Sequence, residues 1–434
     1  MAFQQGLSGL NTSSKALDVT SNNIANASTV GFKSAVSHFA DVYAASLTGA
    51  GASQIGIGSS LSAIAQQFTQ GNITTTSNSL DIAINGQGFF RMSQDGAIRY
   101  SRNGQFHLDA QGYVVNDKRE NLTGYLADAG GNIIPSTPTD ILVDPSPIPP
   151  RATGSTNIGV SYALNLDSTA QVPAVAWTSP TGVNAPQTNT YNFTDAVTIY
   201  DSLGNAHTMT MYFVKTATAG QWQVHFQVDG TSEANVPGSP LTLNFNSSGQ
   251  LTTVPSPMPI AGFSVSLAGV TADLIAADPT TPPNSAAPLS FNLDFTDSTQ
   301  YGADFANSKK TQDGYSAGQL TSMTVGQDGI VQGVYSNGQT RNLAQLVLAN
   351  FRNPNGLLAI GNNDFLETSD SGQPLVGTPK SGTLGVVQSG AVEDSNVDLT
   401  AELVNMIVQQ RNYQANAQSI KTQDQIMQTL VNIR

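Results

Sequence analysis

The chain has 434 residues, too many for one ordinary core, so two or more domains are expected. Only 11% of them are charged, against roughly 25% in typical soluble domains, and the net charge is -13. No Lys/Arg cluster exists to hold nucleic acid or an anionic membrane, and the absence of cysteine excludes disulfides, thiolate metal sites and cysteine nucleophiles.

The first ten residues, Met1 to Leu10, lack a basic stretch and space their apolar residues, so no secretory leader is expected there. No run of eighteen apolar residues occurs, so no transmembrane helix is expected. Phe3, Leu10, Leu17 and Ile24 recur every seven residues with Leu7 between the first two, a heptad stripe predicting a helix over residues 1–30. Asn22, Asn23, Asn26 and Gly31 read as its stop.

Residues 31–71 are rich in Ser, Ala, Gly and Gln and read as a connector with some extended pieces. From 72 to 150 the pattern is β: Leu80 to Ile84 alternates, and Asp95-Gly96 and Asn103-Gly104 are hairpin-turn signals. Prolines 135, 138, 145, 147, 149 and 150 mark a boundary. In 151–305, Asp201 to Asn205 is expected to turn between strands, and Trp222, Val224, Phe226 and Val228 alternate with polar residues as in a half-buried strand. The β pattern resumes over 306–390, where Asp328-Gly329 and Asn337-Gly338 mark turns and Leu343 to Leu348 fits a buried strand.

Over 391–434, Leu399, Leu403, Met406, Gln410, Tyr413, Ala417, Ile420, Asp424, Met427 and Val431 follow a 4-3 spacing. Ser395 to Asp398 fits a capping-box start. A helix of about 35 residues would be roughly 50 Å long and needs a partner. One reading is an antiparallel pair closing a single monomer. The other is packing between molecules, favoured by flanks of Gln, Asn, Ser and Thr where a lone exposed helix would carry charge pairs. Gln410 and Asp424 inside the stripe either fix register or face a wet seam.

The expected fold class is α+β, mostly β, with long terminal helices pairing as a coiled coil. Two nested β domains are expected, one split as 72–150 and 306–390 and one inserted at 151–305; three consecutive β domains are the alternative.

No chemistry is expected. None of His38, His107, His207 and His225 stands at metal-ligand spacing from another. His225 falls on the polar face of its strand and is expected in solvent; His107 and His207 follow turns, ordinary surface positions. Gly31 to Ser34 lacks the first glycine of a phosphate loop, and Asn85 to Gly88 reads as a turn rather than a dinucleotide fingerprint. The expectation is no enzyme, no catalytic residue, no cofactor and no metal.

Four dispersed segments carry a family likeness. Asn22 to Asn26 with Thr29 to Lys33 (including Gly31 and Phe32) resembles the N-terminal signature of flagellar rod and hook proteins. Leu80, Asp81, Gly86, Gly88, Phe89 and Phe90 lie in a segment similar to the second motif, continued by Ser101 to Phe106 and Leu122 to Tyr125. Ser395 to Leu399, Glu402 to Met406 and Gln410 to Asn416 resemble the last helix of the family. Val30 departs from the pattern, since many relatives carry proline there. About 155 residues stand inserted in the middle, from 151 to 305, and Tyr200 to Asn205 with His207, Tyr212 and Phe213 resembles a hook outer domain, so the hook branch is preferred to the distal rod branch.

The resemblance implies a self-assembling helical homopolymer: a curved, flexible tube that joins rod to filament and transmits torque as a universal joint. It implies self-assembly through Phe3, Leu7, Leu10, Leu17, Ile24, Leu399, Leu403, Met406, Tyr413, Ile420, Met427 and Val431. It also implies export through the flagellar type III apparatus, a place outside the cell, and the rod, hook cap and hook–filament junction proteins as partners. A secreted β-rich adhesin is the remoter alternative and would have no use for heptads at both ends.

Overall fold

The computed structural model describes residues 2–42, 56–156, 159–252 and 260–432, with the side chains of Ala2 and of 430–432 outside the description. The side chain of Val431 and the segment Leu47 to Ser53 therefore lie outside what is described here. Among the described residues the chain is mostly β, with three α-helices: α1 (Ala2–Ala25), α2 (Leu267–Ala277) and α3 (Leu399–Asn432). The chain divides into two compact units: Met1–Pro145 with Thr321–Val334 and Thr340–Arg434, and Ser146–Leu320 with Tyr335–Gln339.

In the first unit, strands from the two ends of the chain pair with one another. Ile73–Thr75 pairs antiparallel with Ala391–Glu393, and Ile82–Asn85 with Val386–Ser389. Leu348–Asn350 pairs with Phe89–Gln94 inside a 13-stranded sheet. That sheet covers an aromatic core in which Phe68 and Phe365 both meet Phe89 edge-on, and Phe351 stacks edge-on against Tyr100. Asp95-Gly96 forms the expected two-residue hairpin, both residues at positive φ, joining Gln94 to its partner Ala97. Asn337-Gly338 likewise closes a hairpin, Gly338 N donating to Tyr335 O.

Asn103-Gly104 does not form a hairpin turn. Gly104 O accepts from Ile82 N, and a Cβ on Gly104 would lie 1.7 Å from Ile82 O, so glycine is required for backbones to touch. The 31–71 connector carries a two-stranded antiparallel ribbon, Ala35–Val42 against Gly58–Gln66.

The second unit holds two four-stranded sheets. One runs Ile260–Val265, Leu289–Asp294, Val160–Asn165, Ala306–Gln312; the other runs Phe193–Tyr200, Ala206–Lys215, Gln221–Val228, Leu241–Asn244. Their inner faces share one core, with Trp222, Phe213, Phe226, Phe295 and Tyr162 fully buried. The break expected between 305 and 306 falls inside this unit, because Ala306–Gln312 pairs with Val160–Asn165. The unit also begins before 151, since Ile148 and Arg151 bridge to Gly318 and Tyr315.

Candidate functional site at the chain ends

Helix α1 lies against α3 within the first unit, and the seam is not the apolar heptad. The buried positions of α1 are Gly6, Ser13, Ala16, Thr20 and Asn23, small or polar residues at helical spacing. A Cβ on Gly6 would sit 3.0 Å from Ile420 Cγ1, and one on Gly9 would meet the Asn416 carboxamide at 2.8 Å. Small side chains thus let the helices approach closely.

The apolar stripe is left facing elsewhere. Phe3 and Leu7 are 52% and 46% exposed, while Leu10, Leu17 and Ile24 are half-buried. No described α3 side chain is buried. Met406 and Ile420 are half-buried; Leu399, Leu403, Tyr413 and Met427 are exposed, and so are Val404, Ile407 and Val408 beside the predicted stripe. Gln410 and Asp424 are exposed, Asp424 accepting from Gln428 Nε2 at 3.0 Å. The capping box is replaced by a simpler cap: Asp398 Oδ1 accepts from the backbone of Thr400 and Ala401, leaving Glu402 free to reach Asn23.

Beside the helices, three charged side chains meet in the interior. Lys33 Nζ donates to Glu393 Oε1 at 2.6 Å and to Thr69 O at 2.8 Å. Arg102 donates through Nη1 to Glu393 Oε2 at 3.1 Å and through Nη2 to Gly86 O at 2.8 Å. Gly71 N also donates to Glu393 Oε1. Lys33, Arg102 and Glu393 are at most 4% exposed. Burial pulls the Lys33 ammonium below its ordinary pKa while the Glu393 carboxylate opposes that pull.

Carboxamides extend this junction. Asn23 holds both backbone groups of Ala35, donating to its O and accepting from its N. Asn396 accepts from Ser34 N and donates to Gln67 O. Asn363 donates to Val30 O, and Gly31 N donates to Glu393 O. Gly31 has φ +73, and a Cβ there would lie 2.6 Å from Asn103 N, so the turn needs glycine after Val30. Asn26 caps α1 more locally, donating to Asn22 O, while Asn22 is exposed. Phe32 is half-buried.

The second motif supports the same place. Leu80, Phe89 and Phe90 are buried, Phe90 meeting Phe106 edge-on at 5.2 Å, and Asp81 accepts from Asn78 Nδ2. Gly86 and Gly88 both have positive φ, and Gly86 exposes the carbonyl that Arg102 binds. Residues of two dispersed motifs, Lys33 and Arg102, thus converge with Gly71 on one carboxylate, Glu393, which no motif contains.

Two histidines differ from expectation. His225 is 4% exposed rather than solvated; its Nδ1 lies 2.6 Å from Glu233 Oε1 and its ring stacks on Trp177 at 4.2 Å. One face of its strand lies in the core, and Trp177 and Glu233 cover His225 on the other, so alternation did not mark a wet side. His207 is also buried, between Asp201 and Asp229.

Four family models match separate stretches of the chain: "Flagella basal body rod protein" over 3–33, "Flagellar hook protein FlgE/F/G D1 domain" over 83–159, "Flagellar basal body protein FlaE D2 domain" over 165–315 and "Flagellar basal body rod FlgEFG protein C-terminal" over 388–433. Together they define an axial protein of the flagellar rod-and-hook class. The flagellar hook protein FlgE of Escherichia coli K12 is 43% identical over 438 residues, covering 100% of both chains. That of Salmonella typhimurium LT2 is 42% identical over 444 residues with the same coverage, and that of Borreliella burgdorferi is 31% identical over 451. This chain belongs to the flagellar hook protein family and is a structural subunit of the hook.

Proposed function

We propose that this subunit polymerises with copies of itself through α1 and α3, pairing as a coiled coil, into a curved, flexible helical tube that joins rod to filament and transmits torque. The observation that carries this reading is the exposed apolar surface of the two helices: Phe3, Leu7, Leu399, Leu403, Val404 and Ile407 are all open in the single chain. Such a surface on a soluble subunit calls for neighbours. Contacts between unlike patches of identical subunits generate helices when the rotation does not close. Residues 1–30 and 391–434 thus serve assembly, and the inserted unit, 151–305 in the sequence reading, tunes curvature.

The partners that follow are the rod below, the hook cap during growth, the hook–filament junction proteins above and the flagellar type III export apparatus. The place of action is outside the cell, and the role is mechanical, with no enzymatic step. Leu403→Asp replaces a side chain 45% exposed in the single chain, so the monomer should fold as before. Negative-stain microscopy should show tubes from the parent chain and none from the variant. Normal tubes from Leu403→Asp would overturn the role given to α3.

A further inference from the structure

We infer that His207 is a protonation-dependent clasp of the second unit: its imidazolium ties the turn at 201–205 to the turn at 229–230, and the tie is released when the ring loses its proton. The inference concerns the second unit alone and stands apart from the assembly reading.

The geometry carries it. His207 Nδ1 lies 2.6 Å from Asp229 Oδ2, and Nε2 lies 3.4 Å from Asp201 Oδ2. Both ring nitrogens therefore face carboxylate oxygens, which only accept. A neutral imidazole has one N–H, so only the imidazolium satisfies both sides. Asp201 is 0% exposed and anchors its own turn, accepting from Leu203 N, Asn205 N and Asn205 Nδ2. It also accepts from Asn284 Nδ2, which brings in the proline-rich loop before Leu289–Asp294. Asp229 sits at φ +51 and accepts from Thr208 N at 2.7 Å. Asp201 and Asp229 are the charged groups bonded to the ring; Asn284, from the third element, is neutral. Among the described residues no Lys or Arg is hydrogen-bonded to either carboxylate, so the imidazolium alone offsets them.

The longer Nε2 contact is the one that opens. A neutral ring keeps its proton on Nδ1 toward Asp229 and turns a lone pair toward Asp201. Asp201 stays ionised, because its other donors hold its carboxyl down to about 2. The Asp229 carboxylate raises the pKa of His207 from 6.5. For a raised cationic group the stabilisation is complete below the unfolded value and is lost as pH climbs through the folded one. The second unit should therefore loosen on the alkaline side, not the acid side.

The chain has only four histidines, so their ring proton–carbon signals can be followed in the intact protein, with His207→Gln assigning the relevant one. Between about pH 5 and about pH 9, that signal should titrate above 6.5. Thermal unfolding of the parent second unit should fall over the alkaline half of this range, and His207→Gln should flatten the fall. A His207 signal that titrates at or below 6.5, or an unchanged slope in the variant, overturns the clasp. If His207→Gln does not fold, Asp201→Asn supplies the test: it should bring the His207 titration down toward the ordinary value, and no movement overturns the inference.

Discussion

Glu393→Ala tests whether the buried junction ties the two chain ends together. In the parent, Glu393 accepts from Lys33 Nζ, Arg102 Nη1 and Gly71 N. Truncation leaves Lys33 with Thr69 O and Arg102 with Gly86 O, both cations still enclosed. Arg102 Nε is already buried without a partner, so the site has no spare acceptor to reassign. Removing one partner of a buried pair costs about 3–5 kcal/mol, because the remaining charge is uncompensated. Against a total of about 5–15 kcal/mol this is a large share of the stability of the first unit. Urea unfolding of the full chain, kept below the concentration at which it polymerises, measures the loss. Glu393→Gln keeps the shape and one acceptor and should lose about half as much. Protease cleavage between residues 28 and 36 should speed up in the alanine variant, since Lys33 in that segment loses its bond to the Glu393 carboxylate. A loss under about 1 kcal/mol for Glu393→Ala would falsify the assignment of this junction as the tie, because that is the scale of an exposed pair.

Two further expectations follow from the seam and from the second unit. Gly9→Leu forces a side chain into the Asn416 carboxamide and should cost about 1–3 kcal/mol of helix docking by overpacking; normal tubes and unchanged helix protection in hydrogen exchange would show that the seam is not close-packed. Glu233 accepts from His225, Trp177, Ser179 and Ser239, and these donors hold its carboxyl down to about 2 against the opposing effect of burial. Its contribution is present above its ordinary 4.5 and is lost as pH falls toward 2, so Trp177 emission in a Trp222→Phe background should shift over that acid window. Glu233→Gln should move the change to milder pH or produce it at neutrality, and an emission that stays flat down to pH 2 would show that Glu233 does not hold the loop.

Local chemistry was the readable part of this chain. Asp95-Gly96 and Asn337-Gly338 gave true hairpins because such turns are decided by adjacent residues, both at positive φ in the first and Gly338 alone in the second. Asn103-Gly104 carries the same dipeptide and turned out otherwise, since Ile82, far along the sequence, takes the Gly104 carbonyl. Strand alternation found the buried side of Trp222 to Val228 but placed His225 in water, and the turn before His207 suggested a surface position that its burial contradicts. Periodicity cannot see a second layer on the other face, and for His225 that layer is a loop that Glu233 pins down.

By itself the sequence determined the long C-terminal helix, the apolar heptads, the poverty of charge and the order of family motifs, all of which depend on neighbours a few residues apart or on the bare identity of the side chains. Tertiary structure alone decided which stripe of α1 faces α3: close approach selected Gly6 and Gly9 against Ile420 and Asn416, and left Phe3 and Leu7 outward. It also decided that Lys33, Arg102 and Glu393 share one buried site. Those residues are 360 and 291 positions apart along the chain from Glu393, so no local pattern relates them. Only the pairing of Ile73–Thr75 with Ala391–Glu393 carries that carboxylate to the cations.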